Sequence, residues 1–173
     1  MSVKEKLNSY SLRVFEYLEI NHTDLLDKLK IHHCDFGKNY LEINIPKVNI
    51  NATHGLYFSS EDERLTLGFD NYHCHLHNFY EQKFETEIIR SMNLFTRVLN
   101  NELFVLRAGG TSLFIEKSEI DTLKTGDYKY GKGYNLKNLQ VISWTGKYDL
   151  EIEYTHVEQP KSIIQKIKNF IFK

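Results

Sequence analysis

The segment Tyr40-Leu41-Glu42-Ile43-Asn44-Ile45-Pro46 decides the fold class. Its aliphatic residues fall at every second position, the period of a strand that buries one face, and Pro46 closes the run by removing a backbone donor. Two further strand-like runs follow at Leu56-Tyr57-Phe58 and Arg64–Phe69, parted by the polar turn Ser59–Glu63. Strands that succeed one another across short turns pair as an antiparallel meander, because a parallel sheet needs a crossover between each pair.

Upstream of this segment the period is helical. Ser2-x-x-Glu5 has the spacing of a capping box, and Leu7, Val14 and Leu18 recur on one side with Tyr10 and Phe15 beside them. Thr23-Asp24 predicts the cap of a second, shorter helix with Leu25, Leu26 and Leu29 on its buried side, ending before Cys34. Downstream, Glu81–Asn100 is the clearest helix, with Phe84, Ile88, Met92, Phe95 and Leu99 on one stripe and Asn78-x-x-Glu81 as its cap.

Two hairpins are expected after that helix. Leu103–Ala108 and Ser112–Lys117 flank Gly109-Gly110, which suits a tight turn at positive φ. Leu139–Thr145 and Tyr148–Tyr154 flank Gly146-Lys147, with Tyr148, Leu150, Ile152 and Tyr154 on one face and Asp149, Glu151 and Glu153 on the other. The stretch between the hairpins reads as irregular. At the C-terminal end, Ile163, Ile164, Ile167, Phe170 and Ile171 form a helical stripe flanked by lysines, the pattern of a short amphipathic helix docked on the body of the domain. The sum is an α+β chain: a mainly antiparallel sheet with N-terminal helices, one central amphipathic helix and a short C-terminal helix. All 173 residues fit a single domain, 1–173.

Composition narrows the function classes. Hydrophobic residues make up 41% and charged residues 26%, as in ordinary globular proteins, and the formal charge of -1 supplies no global field toward nucleic acid or an anionic membrane. Neither a secretory leader nor a membrane span is legible, so a cytoplasmic protein with no membrane partner is expected. Cys34 and Cys74 are too few for a disulfide framework and read as free thiols.

The densest chemistry lies in Tyr72-His73-Cys74-His75-Leu76-His77. On a strand, His73, His75 and His77 project to one side, where they can line a partner-binding cleft or, if the strand bends, supply nitrogens to a metal completed by Asp70 or His54. Cys74 between them lacks the orienting constellation that a nucleophile needs. The carboxylates Asp149, Glu151 and Glu153 read as a solvated strand face able to meet a cation or a cationic partner. Lys124–Lys137 interleaves lysines, tyrosines and glycines as a surface loop, without the spacing of a phosphate loop. Nucleic acid is not an expected partner, and no cofactor is.

Two segments, Gly68-Phe69-Asp70-Asn71-Tyr72-His73-Cys74-His75 and Ser143-Trp144-Thr145-Gly146-Lys147-Tyr148-Asp149, together resemble small bacterial proteins that carry GFD-x-YH-x-H and, later, SW-x-G-x-Y. Proteins of this kind resemble immunity proteins encoded beside polymorphic or contact-delivered toxins. The resemblance marks Asp70, Tyr72, His73, His75, Ser143, Trp144, Gly146 and Tyr148 as pattern positions, while Leu76 departs from it where an aromatic is common. It implies a cytoplasmic inhibitor that binds a cognate toxin in bacterial competition, with no catalysis required; the pattern itself assigns no roles, and Asp70, Tyr72, His73, His75, Trp144, Tyr148 and Asp149 are the candidate partner-binding set. The alternative is a metal-assisted hydrolase built on His73, His75 and His77.

Overall fold

The computed structural model describes residues 3–33, 39–76, 83–124 and 138–153. Five consecutive strands form the first sheet in sequence order: β1 (Leu29–His33), β2 (Asn39–Ile45), β3 (Leu56–Ser59), β4 (Leu65–Phe69) and β5 (Tyr72–Leu76), each antiparallel to its neighbour. The meander expected from the period-two pattern is therefore present. Register puts Leu41 and Ile43 of β2 beside Ile31 and Leu29 of β1, and Ile43 beside Phe58, so the aliphatic positions of successive strands share one face.

That face is covered by α1 (Ser9–Asn21) and α2 (Phe84–Leu99). Ile88, Met92, Phe95 and Val98 of α2 are buried, and the Phe95 ring meets Phe58 edge-on at 6.4 Å. Helix α1 is tied in by polar contacts as well. Its Tyr10 hydroxyl donates to Glu87 of α2 at 2.8 Å, and the Ser11 hydroxyl meets that of Ser60 at 2.7 Å in the interior, while Ser60 Oγ accepts the Leu41 N–H.

The second sheet has the order β7–β6–β8–β9, built from β6 (Leu103–Ala108), β7 (Thr111–Glu116), β8 (Asn138–Ile142) and β9 (Leu150–Glu153), again antiparallel throughout. Gly109 and Gly110 make the β6–β7 turn at φ 55° and 88°. Central β6 is apolar on both faces for a physical reason. Leu103 and Val105 join the core of the first sheet, with Ile142 and Trp144, while Phe104, Leu106 and Ala108 face a second cluster with Ile120 and Leu123 of α3 (Lys117–Lys124).

Several local expectations are corrected. Helix α1 begins at Ser9, where Asn8 Oδ1 accepts the Ser11 N–H at 2.7 Å, so the cap is Asn8 and the Ser2-x-x-Glu5 pattern does not start it. The second N-terminal helix is a 3-10 turn, Thr23–Lys28, followed directly by β1, because pairing of Leu29 and Ile31 with β2 prevails over the helical spacing of the leucines. The irregular stretch between the hairpins contains α3. Lys83 precedes α2 without a side-chain cap, and Glu85 and Glu87 in the first turn complement the helix dipole instead. Cys34, His77, the Asn78-x-x-Glu81 cap, Tyr154, the 125–137 part of the lysine- and tyrosine-rich loop and the C-terminal amphipathic segment lie outside the described residues. No helix among the described residues is long and apolar enough to cross a membrane.

Candidate functional site

The two pattern segments meet at the junction between the sheets. Gly68, Phe69 and Asp70 end β4 and open a two-residue turn into β5, with Asp70 in the left-handed region at φ 56°, a conformation Asp tolerates better than most side chains. Phe69 packs edge-on against Trp144 at 5.5 Å in the main core. Asp70 is 3% exposed and is neutralised by Arg107 of β6: Arg107 Nε donates to Oδ2 at 2.7 Å, Nη2 donates to Oδ1, and the Thr53 N–H reaches Oδ1 at 2.7 Å. Burial works against the charged carboxyl, but the hydrogen bonds from Arg107, Thr53 and Asn71 outweigh it and hold Asp70 below the usual carboxylate range. Arg107 Nη2 also donates to Thr53 Oγ1 at 2.9 Å and to the Asn51 carbonyl at 3.2 Å.

Asp149 does the same work at the other end of the loop between β2 and β3. Its carboxylate accepts from the Ser143 N–H and hydroxyl, both at 2.8 Å, from Asn49 Nδ2 at 2.9 Å and from Asn51 Nδ2 at 2.9 Å. Burial again opposes the charge, and these donors override it to lower the pKa. The expected face of Asp149, Glu151 and Glu153 is thereby corrected. Glu151 and Glu153 alternate outward on β9, whereas Asp149 precedes the strand and turns into the Ser143–Asp149 bend, which needs seven residues where a tight hairpin was expected. Gly146 sits at φ 80° in that bend, where an added Cβ would also lie 3.3 Å from Asn49 Oδ1.

Of the partner-binding set, then, Asp70 and Trp144 are buried, Asp149 is engaged inside the bend, and Tyr72 packs against Phe114 of the second sheet at 4.7 Å. Tyr148 is half-buried, edge-on to Phe104 at 5.7 Å, with Lys117 Nζ 4.8 Å from its ring centre. Asp70, Tyr72, Trp144 and Asp149 fasten the two sheets together, while Tyr148 packs within the cluster of the second.

His73 and His75 are different. They lie on the exposed face of β5, the side away from the helices, with ring centres 5.2 Å apart. The strand expectation for this pair holds. Their cross-strand partners are Gly68 and Thr66, and Thr66 Oγ1 is 2.9 Å from His75 Nδ1. The Tyr57 ring from β3 lies over Gly68, where a Cβ would come within 2.1 Å of it. Gly68→Ala should therefore cost about 1–3 kcal/mol through overpacking. Denaturant titration checks this, and Tyr57→Ala in the same chain should recover part of the loss by clearing the ring.

Beside His73, a cleft of about 440 Å³ is lined by Asn44, His54, Tyr57 and Asn71 among others, so His54 and His73 share one opening. Among the described residues no group of three or more His, Cys, Asp or Glu side chains is placed to hold a metal ion. Cys74 faces the core, and burial pushes its thiol up to about 11, leaving it protonated and a poor nucleophile at neutral pH.

Sequence reasoning missed four contributors. Arg107 was legible in principle, since a lone charge in the apolar run of β6 calls for a buried partner. Asn49 gave no signal, because its role arises from Ser143 and Asp149, distant in the chain. Val48 and Ile50, exposed at 63% and 88%, fall after Pro46 and outside the strand-like runs, where no period marks them. The chain matches none of the protein-family models, curated proteins or solved structures with which it was compared.

Proposed function

We propose that the protein is an immunity protein, acting in the cytoplasm by binding a cognate bacterial toxin and blocking it stoichiometrically. The observation that carries this reading is the loop that follows β2. Asn49 is 3% exposed and its amide donates to the Ser143 carbonyl at 2.7 Å, its Oδ1 accepts the Asn51 N–H at 2.9 Å, and Lys47 Nζ donates to the Ala52 carbonyl at 2.6 Å. The residues on either side of this locked asparagine, Val48 and Ile50, stand out into solvent.

A single exposed aliphatic needs no explanation. Two of them held on a loop fixed by buried polar contacts form a ridge that a partner can cover without first ordering it, which removes part of the entropic cost of association. The exposed His73 and His75 supply polar, pattern-matched contacts of the kind that set specificity. The resemblance in Gly68–His75 and Ser143–Tyr148 supports the same reading, with its buried members building the scaffold and its two histidines on an exposed strand face.

The test is survival of a sensitive host that expresses the toxin domain encoded beside this gene, with and without the protein. Specific rescue is expected. Ile50→Asp should abolish it by costing about 2 kcal/mol or more at the interface, while thermal stability stays within about 0.5 kcal/mol because the side chain is 88% exposed. No rescue by the wild type together with no complex between the two proteins would overturn the reading.

A further inference from the structure

We infer that the cleft beside His73 receives an arginine side chain of the protein partner, carried next to the surface that covers Val48 and Ile50. The inference rests on the immunity reading and gives the partner's chemistry at one place of that interface. Asn44 lies near the end of β2 and His54 just before β3, so the loop that bears the two exposed aliphatics springs from the rim of the cleft. Ridge and cleft are continuous along the chain.

Register builds the walls. On the face of the first sheet away from the helices, Asn44, Tyr57, Gly68 and His73 stand in one row across β2, β3, β4 and β5. Gly68 contributes no side chain and the Tyr57 ring lies over it, which gives the row an aromatic surface at its centre. The exposed carboxamides of Asn44 and Asn71 and the exposed imidazoles of His54 and His73 stand around that ring. A guanidinium is planar, stacks on an aromatic face and carries five N–H donors, for which carboxamide oxygens are acceptors.

Charge decides between a cation and an anion. Asp70 also lines the cleft, but Arg107 commits Nε and Nη2 to its carboxylate, so that pair adds no net charge. The field at Tyr57 is negative. Its hydroxyl is pushed above the ordinary phenol range by burial first, then by the Cys74 thiol and the carboxylates of Glu42 and Glu61, and none of the charges that shift it is positive. Glu42 is two residues from Asn44 on β2 and so projects to the same face. An anionic side chain entering the row would be repelled by these carboxylates, whereas a cation is drawn to them across a π surface.

The neighbouring toxin domain is titrated calorimetrically into the wild-type protein and into two variants of opposite charge at the exposed rim, Asn44→Asp and Asn44→Lys. Asn44→Asp should tighten the complex about threefold or more, and Asn44→Lys should weaken it about tenfold or more. The same charges on the helical side, Ile20→Asp and Ile20→Lys, should leave the affinity within about twofold, because Ile20 is 78% exposed on α1, across the sheet from the row, where salt screens it from the cleft. Unfolding temperatures establish that every variant is folded. Tightening by lysine at Asn44 would mean an anionic occupant and overturn the inference, as would equal shifts at Ile20, which would mean a general field. A wild-type complex whose affinity neither Asn44 variant changes would overturn the inference and leave the immunity reading standing. No complex with the wild type would overturn both.

Discussion

Asp70→Ala should lower the unfolding free energy by about 3–5 kcal/mol, the cost of leaving a buried partner charge uncompensated. The side chain of Asp70 is fully buried and that of Arg107 is 22% exposed, so little water reaches the guanidinium once the carboxylate is gone. The loss also strands the Thr53 N–H and forces alanine into the left-handed conformation that Asp70 holds at φ 56°. Asp70→Asn separates these contributions, because asparagine tolerates the turn and keeps one of the two acceptor oxygens while removing the charge and the other. Its loss should be smaller than that of the alanine variant. Chemical denaturation of the three chains at neutral pH measures the series.

The same pair predicts a pH response. The folded-state pKa of Asp70 lies below its ordinary 3.8, so the ion pair contributes fully above that value. Its contribution is lost as the pH falls from there through the lowered folded value. Asp149, also depressed, acts in the same direction. Stability should therefore fall steeply in acid, and Asp70→Asn should show a shallower fall across the same window.

Trp144→Ala should cost a further large amount, about 3–5 kcal/mol, as expected for emptying a large aromatic site from a core. Trp144 is 6% exposed and closes the main cluster against Phe69, next in sequence to Asp70. Calorimetric or denaturant unfolding measures it. The combined Asp70→Ala/Trp144→Ala chain should depart from additivity by about 0.5–3 kcal/mol, since both residues anchor one turn. Additive losses would mean that the ion pair and the aromatic contact stabilise the junction independently.

These effects explain what could be read in the sequence. Antiparallel pairing was legible from the alternation in residues 40–45 and from the Gly109-Gly110 turn, where local chemistry and tertiary structure agree. The central helix was legible because its apolar stripe is long; α3 was missed because Ile120 and Leu123 are its only buried residues and give too short a pattern. β1 was misread because Leu25, Leu26 and Leu29 satisfy a helical period while the pairing that makes Leu29–His33 a strand lies in β2. The division of the sheet into two was not legible, since both orders are consistent with the same hairpins.

The site shows a similar split. Alternation placed His73 and His75 together on an outer face, which needs only strand geometry. It could not show that Asp70 and Asp149 are consumed by Arg107, Asn49, Asn51 and Ser143, because those partners lie between six and about a hundred positions away. A pattern of recurring residues mixes positions that hold the sheets together with positions that face a partner, and only burial separates them.

The most direct test of the immunity reading is calorimetric titration of the purified neighbouring toxin domain with the wild-type protein and with Ile50→Asp. The account predicts a one-to-one complex with a dissociation constant of about 10 nM or tighter, within the range of stable interfaces of standard size, weakened at least about 30-fold in the variant. No heat of binding and no co-elution with the wild type would contradict it.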